Sequence, residues 1–142
     1  MDSKEEALYR LRLAEGYVRE AEEFYRLSRW RASVSSSQLA VENSAKAFLS
    51  LAGPVPKSHD LSGLLLDAIE GLQLDKKAIR AVERLSECAR LLGLKEHILI
   101  DYGDELAFKT PWEIYDEGRA KRALELAREA YEIAFSLLSP EV

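Results

Sequence analysis

The chain has 142 residues, a formal charge of −5 and a pI near 5.2, with 47% hydrophobic and 32% charged residues. That length suits one domain, residues 1–142, and leaves too little for two. A net-acidic surface disfavours indiscriminate nucleic-acid binding, although a local basic patch is compatible with it, and no run approaches the roughly 18 apolar residues of a membrane span.

Helical periodicity dominates, and no repeat, low-complexity linker or strand alternation stands out. Residues 3–28 place Leu8, Leu11, Ala14, Val18, Ala21 and Tyr25 at three- and four-residue spacing, which makes one face apolar. Tyr9, Leu13, Tyr17 and Phe24 widen that face, as contact with two neighbours requires. The charged start "MDSKEEALYR" resembles neither a secretory signal nor an acid-poor transit peptide. A second helix is expected over about residues 30–52, stopped by "AGPVPKS", where Gly53 can adopt a left-handed conformation and two prolines block continuation. Ser58 or Asp60 then caps a short helix ending near Gly71. The fourth helix, about residues 75–92, aligns Ala78, Val82, Leu85, Ala89 and Leu92 before Gly93.

Residues 94–117 are the least regular part, and their aromatics (Tyr102, Phe108, Trp112, Tyr115) predict a loop packed onto the rest. The last helix, about residues 117–138, carries Ala120, Ala123, Leu124, Ala127, Tyr131, Ala134 and Leu138, small enough for close helix approach. The expected fold is all-α: an up-and-down four-helix bundle with one short extra helix. Cys88 is the only cysteine, which excludes an internal disulfide and a thiolate cluster and reads as a small packed side chain. The expected location is the cytoplasm. Abundant Arg and Glu beside one Asn and two Gln hint at a thermophilic source.

In "QLAVENSAKAF", residues 38–48, Gln38, Glu42 and Lys46 recur every four residues and drift by about 40° per step around the helix. Gln38 projects inside the arc of Val34, Val41, Ala45 and Phe48, Glu42 lies on its shoulder, and Lys46 lies further out. One reading has Gln38 bonding across the bundle while Glu42 and Lys46 form a helical pair contributing roughly 0.3 kcal/mol. The other makes the line a polar notch for a nucleotide or a partner's side chains.

"SQLAVENSAKAFLSLAGPVPKSHDLSGLL" resembles the HEPN family, the higher eukaryote and prokaryote nucleotide-binding domain. Gln38, Glu42, Lys46, Ala47, His59, Asp60 and Leu61 match that family's helix, turn and His-Asp-Leu helix start. The closing part from "DYGDELAFKTPWEIYDEG" through the Ala-rich last helix is similar as well, so the resemblance runs from about residue 5 to 138. It implies a bundle of about five helices that tends to dimerise, and nucleotide- or partner-binding roles for Gln38, Glu42, Lys46, His59 and Asp60. It also implies two functional classes. One is a binding or scaffold module, for which the expectation here is pairing with a nucleotidyltransferase in a toxin–antitoxin-like system. The other is a metal-independent ribonuclease whose Arg and His, four to six residues apart, act across a dimer.

Arg90 and His97, separated by "LLGLKE", fit the longest such spacing. His97 would serve as general base on a ribose 2′-hydroxyl and Arg90 would stabilise charge on phosphate. Leu91 and Leu99 stand where the family's compact motif has a polar residue and a Tyr, and Gly93 interrupts the pair. A binding module is therefore the leading expectation, with the ribonuclease and a purely structural interaction module as alternatives. His59 either fixes the loop end or faces a ligand. Arg26, Arg29 and Arg31 around Trp30 have the composition of a small RNA patch, diluted by Glu20, Glu22 and Glu23 into a salt-bridged rim. Two distant histidines without paired carboxylates offer no metal site, and no cofactor is expected.

Overall fold

A computed structural model describes residues 2–57 and 60–139. Asp2 opens the first helix, α1 (Ser3–Arg26), by accepting the Glu5 amide at 2.8 Å, and Ala7, Leu11, Ala14, Val18 and Ala21 form its buried stripe. The helix closes in a Schellman turn: the Arg29 amide donates to the Phe24 carbonyl and the Ser28 amide to the Tyr25 carbonyl. Ser28 holds the left-handed position at φ 58°. The chain thereby reverses into α2 (Trp30–Leu49), antiparallel to α1. Ser33 Oγ donates to the Ala21 carbonyl at 2.8 Å and Ser36 Oγ to Glu20 at 2.6 Å, which fixes the register of the two helices.

One 3₁₀ turn, Ser50–Ala52, carries α2 to Gly53 at φ 133°, the stop expected from the sequence. Asp60 caps α3 (Leu61–Gly71) through the Gly63 amide, and Asp75 caps α4 (Lys76–Leu91) through the Ala78 amide. Val82, Leu85, Cys88 and Ala89 are the buried face of α4. Burial pushes the Cys88 thiol up to about 11, so it packs as a neutral side chain. The last helix, α7 (Glu117–Leu138, with α5 and α6 described below), starts at Asp116 and buries Ala120, Ala123, Leu124, Ala127, Ala130, Ala134 and Leu138. These small side chains let α7 lie close to α1 and α2. Tyr131 donates to Glu15 at 2.9 Å and Arg128 to Glu22 at 2.6 Å, joining α7 to α1, while Arg84 pairs with Glu129 at 2.6 Å to join it to α4. Half-exposed links of this kind contribute about 0–1 kcal/mol each. Burial of side chains such as Phe48, Leu65, Leu85 and Leu138 dominates, at about 1.5–3 kcal/mol apiece.

The fold is all-α, with α1, α2, α4 and α7 as the four long helices and α3 as a shorter one. Residues 94–116 differ from the expected packed loop. They contain α5 (Leu94–Tyr102) and α6 (Pro111–Ile114), joined by a tight turn in which Asp104 and Lys109 exchange backbone bonds of 2.9 and 3.0 Å. Gly103, at φ 71°, lets the turn close, because a Cβ there would collide with the Lys109 carbonyl oxygen. Thr110 and Glu113 form a capping box on α6. Of the four aromatics only Tyr115 is buried; Tyr102, Phe108 and Trp112 face outward. Among the described residues no helix is long and apolar enough to cross a membrane.

Candidate binding groove

The central helix α2 touches α1, α3, α4, α5 and α7, so side chains on its less crowded face lie among several elements. There a groove of about 700 Å³ opens, within the size range of small-molecule sites. Gln38, Glu42 and Lys46 form one wall, and His97 from α5 lies at its edge. Val41, Leu61, Leu92 and Leu94 supply apolar surface.

Gln38 decides the character of this place. It is only 5% exposed, and its carboxamide has no hydrogen-bond partner among the described residues. The cross-bundle bond considered for it does not form among them. The side chain is buried but its amide atoms keep access to the groove, so its donor and acceptor stand ready for whatever enters. Glu42 and Lys46 do form the expected i,i+4 pair, Lys46 Nζ lying 3.3 Å from Glu42 Oε2.

Arg10 also lines the groove and was not apparent from the sequence. Its Nε donates to Glu6 at 3.0 Å and its Nη1 to Asn43 Oδ1 at 3.3 Å, while Asn43 Nδ2 donates to the Leu39 carbonyl at 2.9 Å. The guanidinium is thus fixed against α2 from both sides. Lys57, on the loop after Gly53, adds an exposed cation to the rim.

The other sequence-derived candidates fall elsewhere or lie beyond description. Arg90 is exposed on α4 and forks onto Glu87, whose carboxyl it holds below the usual range. Arg90 does not line the groove, so the groove brings His97 beside Gln38 and Lys46 and leaves Arg90 outside. His97 Nε2 stands 3.8 Å from Asp101 Oδ2, a loose contact on a half-exposed ring. Asp60 serves as the α3 cap, and His59 lies outside the described residues. Of the arginine cluster, Arg31 donates to the Ile100 carbonyl at 2.8 Å, meets Asp101 at 3.2 Å and lies 5.8 Å from the Trp112 ring centroid. Among the described residues no three His, Cys, Asp or Glu side chains converge to hold a metal ion.

The HEPN domain matches residues 7–137 of this sequence. The chain belongs to the HEPN family. Membership makes it a nucleotide- or RNA-related module. Among solved structures, the crystal structure of TT1696 from Thermus thermophilus has the same fold. The two share 22% identity at a TM-score of 0.68, over 92% of this chain and 96% of that one. None of the curated proteins matches. Within this HEPN domain, Gln38, Glu42 and Lys46, three of the residues that carried the family resemblance, line one groove.

Proposed function

We propose that this HEPN chain is a non-catalytic module, a single cytoplasmic domain that binds a nucleotide or an RNA segment in the groove along α2. It acts as a homodimer beside a nucleotidyltransferase partner, one half of a toxin–antitoxin-like pair. The observation that carries the binding reading is the buried Gln38 side chain, whose amide is unpartnered among the described residues and lines a groove that also holds Lys46. Outward-facing Leu106, Phe108 and Trp112, 94%, 90% and 73% exposed, favour a protein contact and so support the dimer or the partner. The test is ligand-dependent melting of the purified protein. ATP or a short RNA raises the melting temperature of the wild type by linkage to the folded state, and Gln38→Ala or Lys46→Ala removes the increase. A flat response at saturating ligand in the wild type leaves only the protein-partner role.

A second reading, the metal-independent endoribonuclease, draws support from one feature. Arg90 and half-exposed His97 both reach the surface beside outward-facing Leu91, Leu94 and Ile98, where a second subunit could complete a site. On that reading, expression arrests growth and His97→Ala relieves the arrest; unchanged toxicity in the variant removes it.

A further inference from the structure

The groove is polar in an ordered way along α2. Gln38 and Lys46 are eight residues apart, about 12 Å along the axis. His97 joins the groove from α5, which packs against α2, and Arg31 near the start of α2 meets Ile100 and Asp101 of α5. α5 therefore lies beside the N-terminal half of α2. Arg10 is fixed at the level of Asn43, on the same side of Gln38 as Lys46, and Lys57 follows the 3₁₀ turn that ends α2. One end thus offers a neutral donor and acceptor, and the other gathers cations.

The charges at the second end run against the whole chain, which carries −5. Arg10, Lys46 and Lys57 are three cations; Glu42 on the wall and Glu6 behind Arg10 are two carboxylates, leaving an excess of one positive charge. Glu6 and Asn43 occupy Arg10 Nε and Nη1, and Nη2 has no partner among the described residues. Lys57 likewise has no ion-pair partner among them. Glu42 holds the Lys46 ammonium in place. An anion with several acceptor oxygens satisfies these donors, and a phosphate is the compact group that does so. At the other end, a carboxamide with both functions open pairs in bidentate fashion with an adenine edge.

We infer that the groove takes an adenosine monophosphate unit, its phosphate held by Arg10, Lys46 and Lys57 and its base edge read by Gln38. This deepens, and rests on, the groove reading above. The chemistry is shared by free AMP and by the 5′-phosphorylated adenine end of an RNA.

Calorimetric titration of the full chain with 5′-AMP, 5′-UMP and adenosine tests it. AMP should bind about tenfold tighter than adenosine, the effect of one charge-assisted hydrogen bond. Arg10→Gln should bring that ratio close to one, and Gln38→Leu should weaken AMP and adenosine alike. Equal affinity for AMP and adenosine, or an unchanged ratio in Arg10→Gln, overturns the inference and leaves the groove reading intact. Equal affinity for UMP overturns the adenine assignment. No binding of any of the three by folded wild type overturns the inference, and the groove reading falls with it only if ATP and RNA also leave the melting temperature unchanged. Lys57→Gln, on an exposed loop residue, repeats the ratio measurement should Arg10→Gln fail to fold. A 5′-phosphorylated tetraadenylate that binds tighter than AMP identifies an RNA end as the source of the phosphate, and one that binds more weakly identifies the free mononucleotide.

Discussion

Ser33 and Gln38 lie on the same helix and are almost equally hidden, yet their polar atoms meet opposite conditions. Ser33 faces α1, where its hydroxyl gives a 2.8 Å bond to the Ala21 carbonyl. Gln38 faces the groove and bonds to none of the described residues. Buried polar groups are ordinarily paired because an unpaired one forfeits its hydration. The α1 side of α2 follows that rule at Ser33, Ser36 and Asn43 and serves the fold. The groove side breaks it at Gln38; Ser37 and Ser44 break it too without lining the groove, so what singles out Gln38 is that its unpaired amide borders a cavity a ligand can enter. Neither depth of burial nor lack of a partner separates the two roles alone; position on the groove does.

The comparison can be pressed hardest by truncating each side. Phe48, 2% exposed, belongs to the packed side, and Phe48→Ala should cost about 3–5 kcal/mol in urea unfolding, from lost contacts and the cavity left behind. Gln38→Leu should stay within about 1 kcal/mol of wild type, on the stabilising side, because an apolar group of similar size replaces an amide without a partner. Ser33→Ala should cost about 1 kcal/mol for its hydrogen bond. A Gln38→Leu protein less stable than Ser33→Ala would mean that the amide serves the fold, and the distinction between the two sides would collapse.

A second hollow, of about 310 Å³, supplies a pH-dependent counterpart to the groove. Its buried polar group, Tyr115, does have a partner, donating to Glu96 at 2.6 Å. Burial first, and then the Glu96 bond, raise the Tyr115 phenol well above its ordinary value of 10.0. The folded state thus holds a proton that the unfolded chain releases first. Stability from this group is fully present below about pH 10 and is lost as pH rises from there through the folded value, by about 1 kcal/mol at pH 11. Cys88, raised to about 11, acts in the same direction, so the measurement compares wild type with Tyr115→Phe. The variant should lose less stability than wild type between pH 9 and 11, and parallel urea midpoints would show that the phenol is not held protonated by the fold.

Much of the fold was legible because α1, α4 and α7 each bury a stripe at helical spacing behind an Asp cap, and Gly53 marks the stop after α2. α5 was not. Leu94 and Ile98 face outward while Ile100 alone is buried, so its pattern carries no face. The outward Phe108 was equally invisible, since an aromatic in an irregular stretch reads as packed until the turn that presents it is known. In the groove, Gln38 stood out as a polar residue inside an apolar arc, and Lys46 and Glu42 followed from spacing. Arg10 did not stand out, because next to Glu6 it looks like any i,i+4 pair on a solvated flank. What makes it part of the groove is Asn43, 33 residues away, and only the packing of α1 on α2 brings the two together.

Ser37 and Ser44 give the finest test, since both are fully buried on α2 and neither hydroxyl oxygen has a hydrogen-bond partner among the described residues. Neither lines the groove. Small side chains suit these positions because α2 is packed closely by α1 and α7, and alanine has nearly the volume of serine. Replacing an unpaired buried hydroxyl with hydrogen removes a desolvation cost and opens almost no cavity. Ser37→Ala and Ser44→Ala should therefore change stability by less than about 0.5 kcal/mol or raise it slightly, the smallest effects of the set. A loss near 1 kcal/mol in either, comparable to Ser33→Ala, would mean that a partner reaches the hydroxyl. Gln38 would then stand alone as the unpaired polar side chain among these buried positions of α2, whereas unpaired Ser37 and Ser44 show that lacking a partner does not by itself mark a ligand site.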